Sequence, residues 1–122
     1  MEEYLYLVKF YKNSANGQEL VLDYIEKLDE KNKAKVLKYI AFLRDNRGYL
    51  DEPFSKHITG KIRELRVDFS RRRHRIFYFV AIGRRIILLH SFLKKTDRTP
   101  PREIKKALTY YNDAINNLNL YD

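Results

Sequence analysis

The sequence predicts a small α+β fold, ordered β-α-α-β-β-β-α, with a curved, mainly antiparallel sheet. Three observations predict it. Two stretches with helical apolar spacing follow one another after a short aromatic strand. Three β-rich stretches then run almost without a break from Ile62 to Leu93. A Thr-Pro-Pro sequence opens a last amphipathic stretch. At 122 residues the chain has the length of a single domain over 1–122.

Tyr4 to Tyr11 alternates aromatic and aliphatic side chains and reads as the first strand. The chain turns at Asn16-Gly17, and Asn16 with Glu19 three residues on has the form of a capping box. Val21, Tyr24, Ile25 and Leu28 form the apolar stripe of the first helix. In the second, Val36, Ile40 and Leu43, with Leu37 beside them, oppose Lys31, Lys33, Lys35 and Lys38. It stops near Asn46-Arg47-Gly48, so the two helices form an antiparallel hairpin.

"YLDEPFSKHITGK", with Pro53 and Gly60, reads as a loop. "IRELRVDF" alternates: Leu65, Val67 and Phe69 share one face, Glu64, Arg66 and Asp68 the other. "SRRR" is a basic hairpin turn and "HRIFYFVAI" the next strand. After a tight turn at Gly83-Arg84, "RIILLHSF" is apolar on both faces and belongs inside the sheet. Thr99 is placed to cap a helix whose first positions are Pro100 and Pro101. Ile104, Ala107, Leu108, Tyr111 and Ile115 keep helical spacing along it.

Composition excludes several classes. There is no Cys, so disulfides and thiolate metal sites are ruled out, and a reducing cytoplasm is permitted. Hydrophobic residues make up 44%, with 7 Phe and 10 Tyr, enough for a core and too many for general disorder. No apolar run approaches the ~20 residues of a membrane span, and "MEEYLYLVKFYKN" does not read as a signal peptide.

The net charge of +9 is unevenly spread. Lys56 to Lys95 holds twelve Lys and Arg against Glu64 and Asp68 alone, while the rest of the chain holds thirteen against fourteen acids. Such a local cationic field suits a polyanion, and the predominance of Arg suits bidentate grip on phosphate. A solubilising surface is the simpler alternative.

Candidate chemistry is narrow. His57, His74 and His90 have no ligand-pair spacing, so no metal site is expected. His90, in an apolar strand, reads as a hydrogen-bonded core histidine, whereas His57 beside Lys56 stands equally for a loop residue or a phosphate or base contact. No phosphate-binding glycine motif is present. Ser55, Ser70 and Ser91 lack a His/Asp escort. Phe69, Phe77, Tyr78, Phe79 and Phe92 are simplest as core, though bases stack on such rings. What remains is a row of cations on neighbouring strands ~4.8 Å apart. Arg66, Arg73 and Arg75, with Lys94 and Lys95 after the last strand, are placed to converge on one phosphate. They would stabilise charge developing on it, and crowding would lower a lysine's pKa. The same row would serve for RNA binding alone. Lys94 and Lys95 also fit lysines that snorkel at a strand end.

"ELR", "RHRIFYF" and "ILLHSFLKKTDRTPPREIKKAL" together resemble the RelE/HigB toxin superfamily, most nearly its phage-derived, HigB-like branch. The motifs cover about Lys61 to Tyr111. The resemblance implies a RelE-like fold and the toxin of a type II toxin–antitoxin system. The expected activity is metal-independent, ribosome-dependent endonuclease cleavage of mRNA (an mRNA interferase), with no cofactor. By position, Arg66, Arg75 and Lys95, with Lys94 and Arg73 beside them, match the family's catalytic cations. The general base stays open between Lys94 and Lys95. Lys56, His57, Lys61, Arg63, Arg71 and Arg72 are the candidate RNA-binding residues. Implied partners are a helix-turn-helix, HigA-like antitoxin, mRNA and the ribosome, with operator DNA met only through the antitoxin. The expected location is the cytoplasm. The alternatives are a non-catalytic RNA-binding module and a phage assembly subunit.

Overall fold

The computed structural model describes residues 5–122. The elements run β1 (Leu7–Phe10), α1 (Leu20–Glu26), α2 (Glu30–Asp45), β2 (Ser55–Thr59), β3 (Ile62–Phe69), β4 (Arg72–Ala81), β5 (Arg85–Leu93) and α3 (Pro101–Ile115), closed by a 3-10 turn at Leu118–Tyr121. The fold is α+β, as expected, with an open five-stranded sheet ordered β1-β5-β4-β3-β2. β2 to β5 pair antiparallel, and β1 lies parallel to β5.

The sheet is covered on both faces. On one face, Val21 and Ile25 of α1 and Val36, Ile40 and Leu43 of α2 pack on Leu65, Val67, Ile76, Tyr78, Ile86 and Leu88. On the other, Ala107 and Ala114 of α3 pack with Phe77, Phe79, Ile87, Leu89 and Phe92. The period of two in β3 holds, with Leu65 and Val67 buried beneath the helical pair. β5 lies inside the sheet, and Ile86 to Leu89 are fully buried.

Several local expectations change. The first strand begins at Leu7, and Tyr4 lies outside the described residues. Asn16 is a turn residue: its Oδ1 accepts from the Gln18 N–H, and α1 begins after Glu19, which makes no side-chain cap bond. Leu37 is 45% exposed and stands off the α2 stripe, as Leu108, at 41%, does on α3. Pro100 caps α3 and Pro101 opens it, one residue later than the Thr99 cap. The expected loop before β3 contains β2, an edge strand paired with β3.

Candidate functional site

The second sheet face divides into an apolar part under α3 and a charged part beyond the start of that helix. Alternation turns Glu64, Arg66 and Asp68 of β3 to this face. The register sets Arg66 opposite Arg75, and Asp68 opposite Arg73. Lys94 follows β5, and its N–H donates to the Arg73 carbonyl at 2.8 Å, tying the lysine to the end of β4. From the β2 edge, Lys56 lies opposite Glu64. The segment Asp97–Thr99 and Ile104 close the other side. Together they border an open groove of about 390 Å³ lined by Lys56, His57, Glu64, Arg66, Lys94 and Arg98 among others.

The charges in the groove are partly paired. Arg66 Nε donates to Glu64 Oε1 at 2.8 Å. Arg75 is 4% exposed; its guanidinium donates to Asp68 Oδ1 at 2.6 Å and to the His74 carbonyl. Its Nε has no hydrogen-bond partner among the described residues. Arg75 is therefore a buried cation that acts on the groove through its field. Lys94 is half-buried at the wall. Burial first, and then the nearby Arg75, Arg66 and Arg73, lower its pKa, while Glu64 opposes the shift. A lysine so placed exchanges its proton more readily than one in water.

The structure gathers some of the sequence candidates and separates others. Arg66, Arg73, Arg75 and Lys94 come to one end of one face, with Lys56 and His57 at its rim. The His57 ring Nε2 bonds the Gly60 carbonyl. Lys95 is exposed just past β5 and is not among the groove's lining residues. Lys61 and Arg71 are exposed in the β2–β3 and β3–β4 turns. Arg63 and Arg72 belong to the opposite side. Arg63 bonds Ser55 and lies 4.7 Å over the Tyr49 ring, and Arg72 reaches Asp29 at the start of α2. Charged groove residues that were not anticipated include Arg98 and Glu64. Arg98 sits in a loop without periodicity. Glu64 stood in the alternating "ELR", where the Arg66 face already included it.

His90 is 8% exposed, and its Nε2 bonds Glu103 Oε1 at 2.8 Å. Burial lowers its pKa despite Glu103, so the neutral ring donates Nε2–H to the carboxylate. It is a core histidine held to α3. Among the described residues, no three His, Cys, Asp or Glu side chains gather so as to hold a metal ion. No helix among them is long and apolar enough to cross a membrane.

This fold and this cationic groove define the class of a small, basic, RelE-like domain. The family model for the phage-derived protein Gp49-like (DUF891) matches residues 23–112, most of the chain, and the chain belongs to that family. Gp49-like proteins are associated with RelE-like toxins of toxin–antitoxin systems, which implies an antitoxin partner. No curated protein matches the sequence.

Proposed function

We propose that this protein is a metal-independent mRNA endonuclease acting on the ribosome, the toxin of a type II pair whose partner is a helix-turn-helix, HigA-like antitoxin. The observation that carries this reading is the groove itself. A half-buried lysine with a lowered pKa lines it together with Arg66, within the field of the buried cation Arg75. RNA brings its own nucleophile. The neutral Lys94 amine takes the 2′-OH proton, O2′ bonds to phosphorus and the P–O5′ bond breaks. The proton then passes to O5′, leaving a 2′,3′-cyclic phosphate and a 5′-hydroxyl. Arg66, Arg73 and Arg75 stabilise the negative charge that grows on the phosphate oxygens. Lys95, next in the chain, is the alternative proton acceptor. Such a protein works in the cytoplasm and meets operator DNA only through its antitoxin.

The test is cleavage-site mapping on translating ribosomes with the purified wild type, Lys94→Ala and Arg66→Ala. The wild type is expected to cut mRNA, and each variant to lose about 100-fold or more in rate. Uncut mRNA with the wild type would overturn the reading. The exposed cations Lys61, Arg71 and Lys95 outside the groove favour a second reading, RNA binding without cleavage. It predicts salt-dependent RNA affinity and no cut ends.

A further inference from the structure

Glu64 is a buried carboxylate in a groove that Lys56, Arg66, Lys94 and Arg98 also line, and only one of its oxygens has a hydrogen-bond partner among the described residues. The residue is 1% exposed. Oε1 accepts from Arg66, while Oε2 is buried with no hydrogen-bond partner among the described residues. An ionised carboxylate with an idle buried oxygen costs free energy where it stands. An apolar residue would suit the strand better, so the placement points to the groove's chemistry.

Its surroundings identify what it serves. From β2, Lys56 lies across the strand from it, with His57 next. On β3, Arg66 is already bonded to it, and β4 supplies Arg73 and Arg75 on the same face. From the loop before α3 come Asp97, which is exposed, and Arg98, and α3 itself contributes only the uncharged Ile104 to the groove. Arg75 already has Asp68. Among the described residues that line the groove, Lys94 is then the half-buried cation without an ion pair.

We propose that Glu64 is a positioning residue, the internal counter-ion that anchors Lys94 and Arg66 in the groove, with Oε2 as the acceptor kept for the Lys94 ammonium. The inference rests on the reading of the groove as the RNA-cleaving site, but the charges it concerns are those of the free protein. Glu64 acts through its neighbours, because Oε1 is taken by Arg66 and Oε2 is buried. Its charge opposes the combined effect of burial and three arginines on Lys94. It therefore sets the pH at which that lysine changes its proton.

The experiment is a titration of the Lys94 side chain by carbon-13 NMR in the purified full chain, for the wild type, Glu64→Gln and Glu64→Asp. Lys94→Arg assigns the signal. Gln still accepts from Arg66 but carries no charge, so the Lys94 pKa is expected to fall by about one unit in Glu64→Gln. It should fall less in Glu64→Asp, whose carboxylate is kept one methylene further back. In the cleavage assay, the acid limb of the rate–pH profile should move down by the same amount. A Lys94 titration unchanged in both variants would overturn the proposal. Should Glu64→Gln not fold, an unchanged titration in Glu64→Asp overturns it alone. Should the wild type cut no RNA, the functional reading falls and the titration still decides the role of Glu64.

Discussion

His74 is held at both ring nitrogens. Nδ1 is 2.8 Å from the Tyr24 hydroxyl and Nε2 is 2.8 Å from Asn32 Oδ1. An amide oxygen only accepts, so Nε2 carries the proton and Nδ1 accepts from Tyr24. Burial pushes the Tyr24 hydroxyl up to about 12, which keeps it a donor. Burial, then Arg72 and Arg75, push the His74 pKa below its ordinary value. A depressed histidine means the unfolded chain binds more protons in this range. The contribution is complete above the unfolded pKa near 6.5 and is lost as pH falls through the folded value. The neutral, buried His90 adds to it with the same sign. Urea unfolding should therefore show stability falling between about pH 7 and pH 5. His74→Ala should cost about 3 kcal/mol by stranding Tyr24 and Asn32, and should flatten part of that slope. His90 was legible in the sequence because its apolar neighbours announce burial. The role of His74 was not, because its partners lie 50 and 42 residues away.

At the scale of elements, legibility followed periodicity. β3 alternates cleanly and was readable to the face of each side chain. β2 was hidden because it is an edge strand between Pro53 and Gly60, exposed at Lys56 and His57, with no alternation. The start of α1 was misplaced because asparagine turns and helix caps use the same residues: Asn13 Oδ1 accepts from Ala15 and Asn16, and Asn16 serves Gln18. The end of α2 was legible at Gly48, and its tolerance is narrow. Gly48 has φ +82°, its N–H bonds the Leu43 carbonyl, and an added Cβ would stand 2.5 Å from Val80 Cγ2. Gly48→Ala should cost about 2–3 kcal/mol, seen as a lower urea midpoint with an unchanged slope.

Across the whole molecule, the charge count located the site's segment but not its inventory. A count along the chain treats every cation alike, whereas the sheet sends Arg63 and Arg72 to the helical side and sinks Arg75 beside Asp68. Spacing by two separates Arg63 from Arg66 in advance. The burial of Arg75 depends on a cross-strand acid and on Phe92 opposite it, which only the register reveals. Binding to a single-stranded RNA at several salt concentrations resolves the two groups. Lys56→Ala should lower the slope of log affinity against log salt by about 0.7, one phosphate contact, and Arg63→Ala by less.

β4 occupies the middle of the sheet, flanked by β5 and β3, and both faces are covered by helices. Arg73 and Arg75 hang from that strand, and Lys94 is bonded to it through the Arg73 carbonyl. Openings that release the β2 edge or the short α1 leave this strand paired. Amide hydrogens of Arg75 to Phe79 should then exchange with solvent only through global unfolding, while those of β2 exchange sooner by local opening. The cations keep their spacing as long as the chain is folded at all. Silencing them short of unfolding thus requires something that covers the groove, not something that loosens the scaffold.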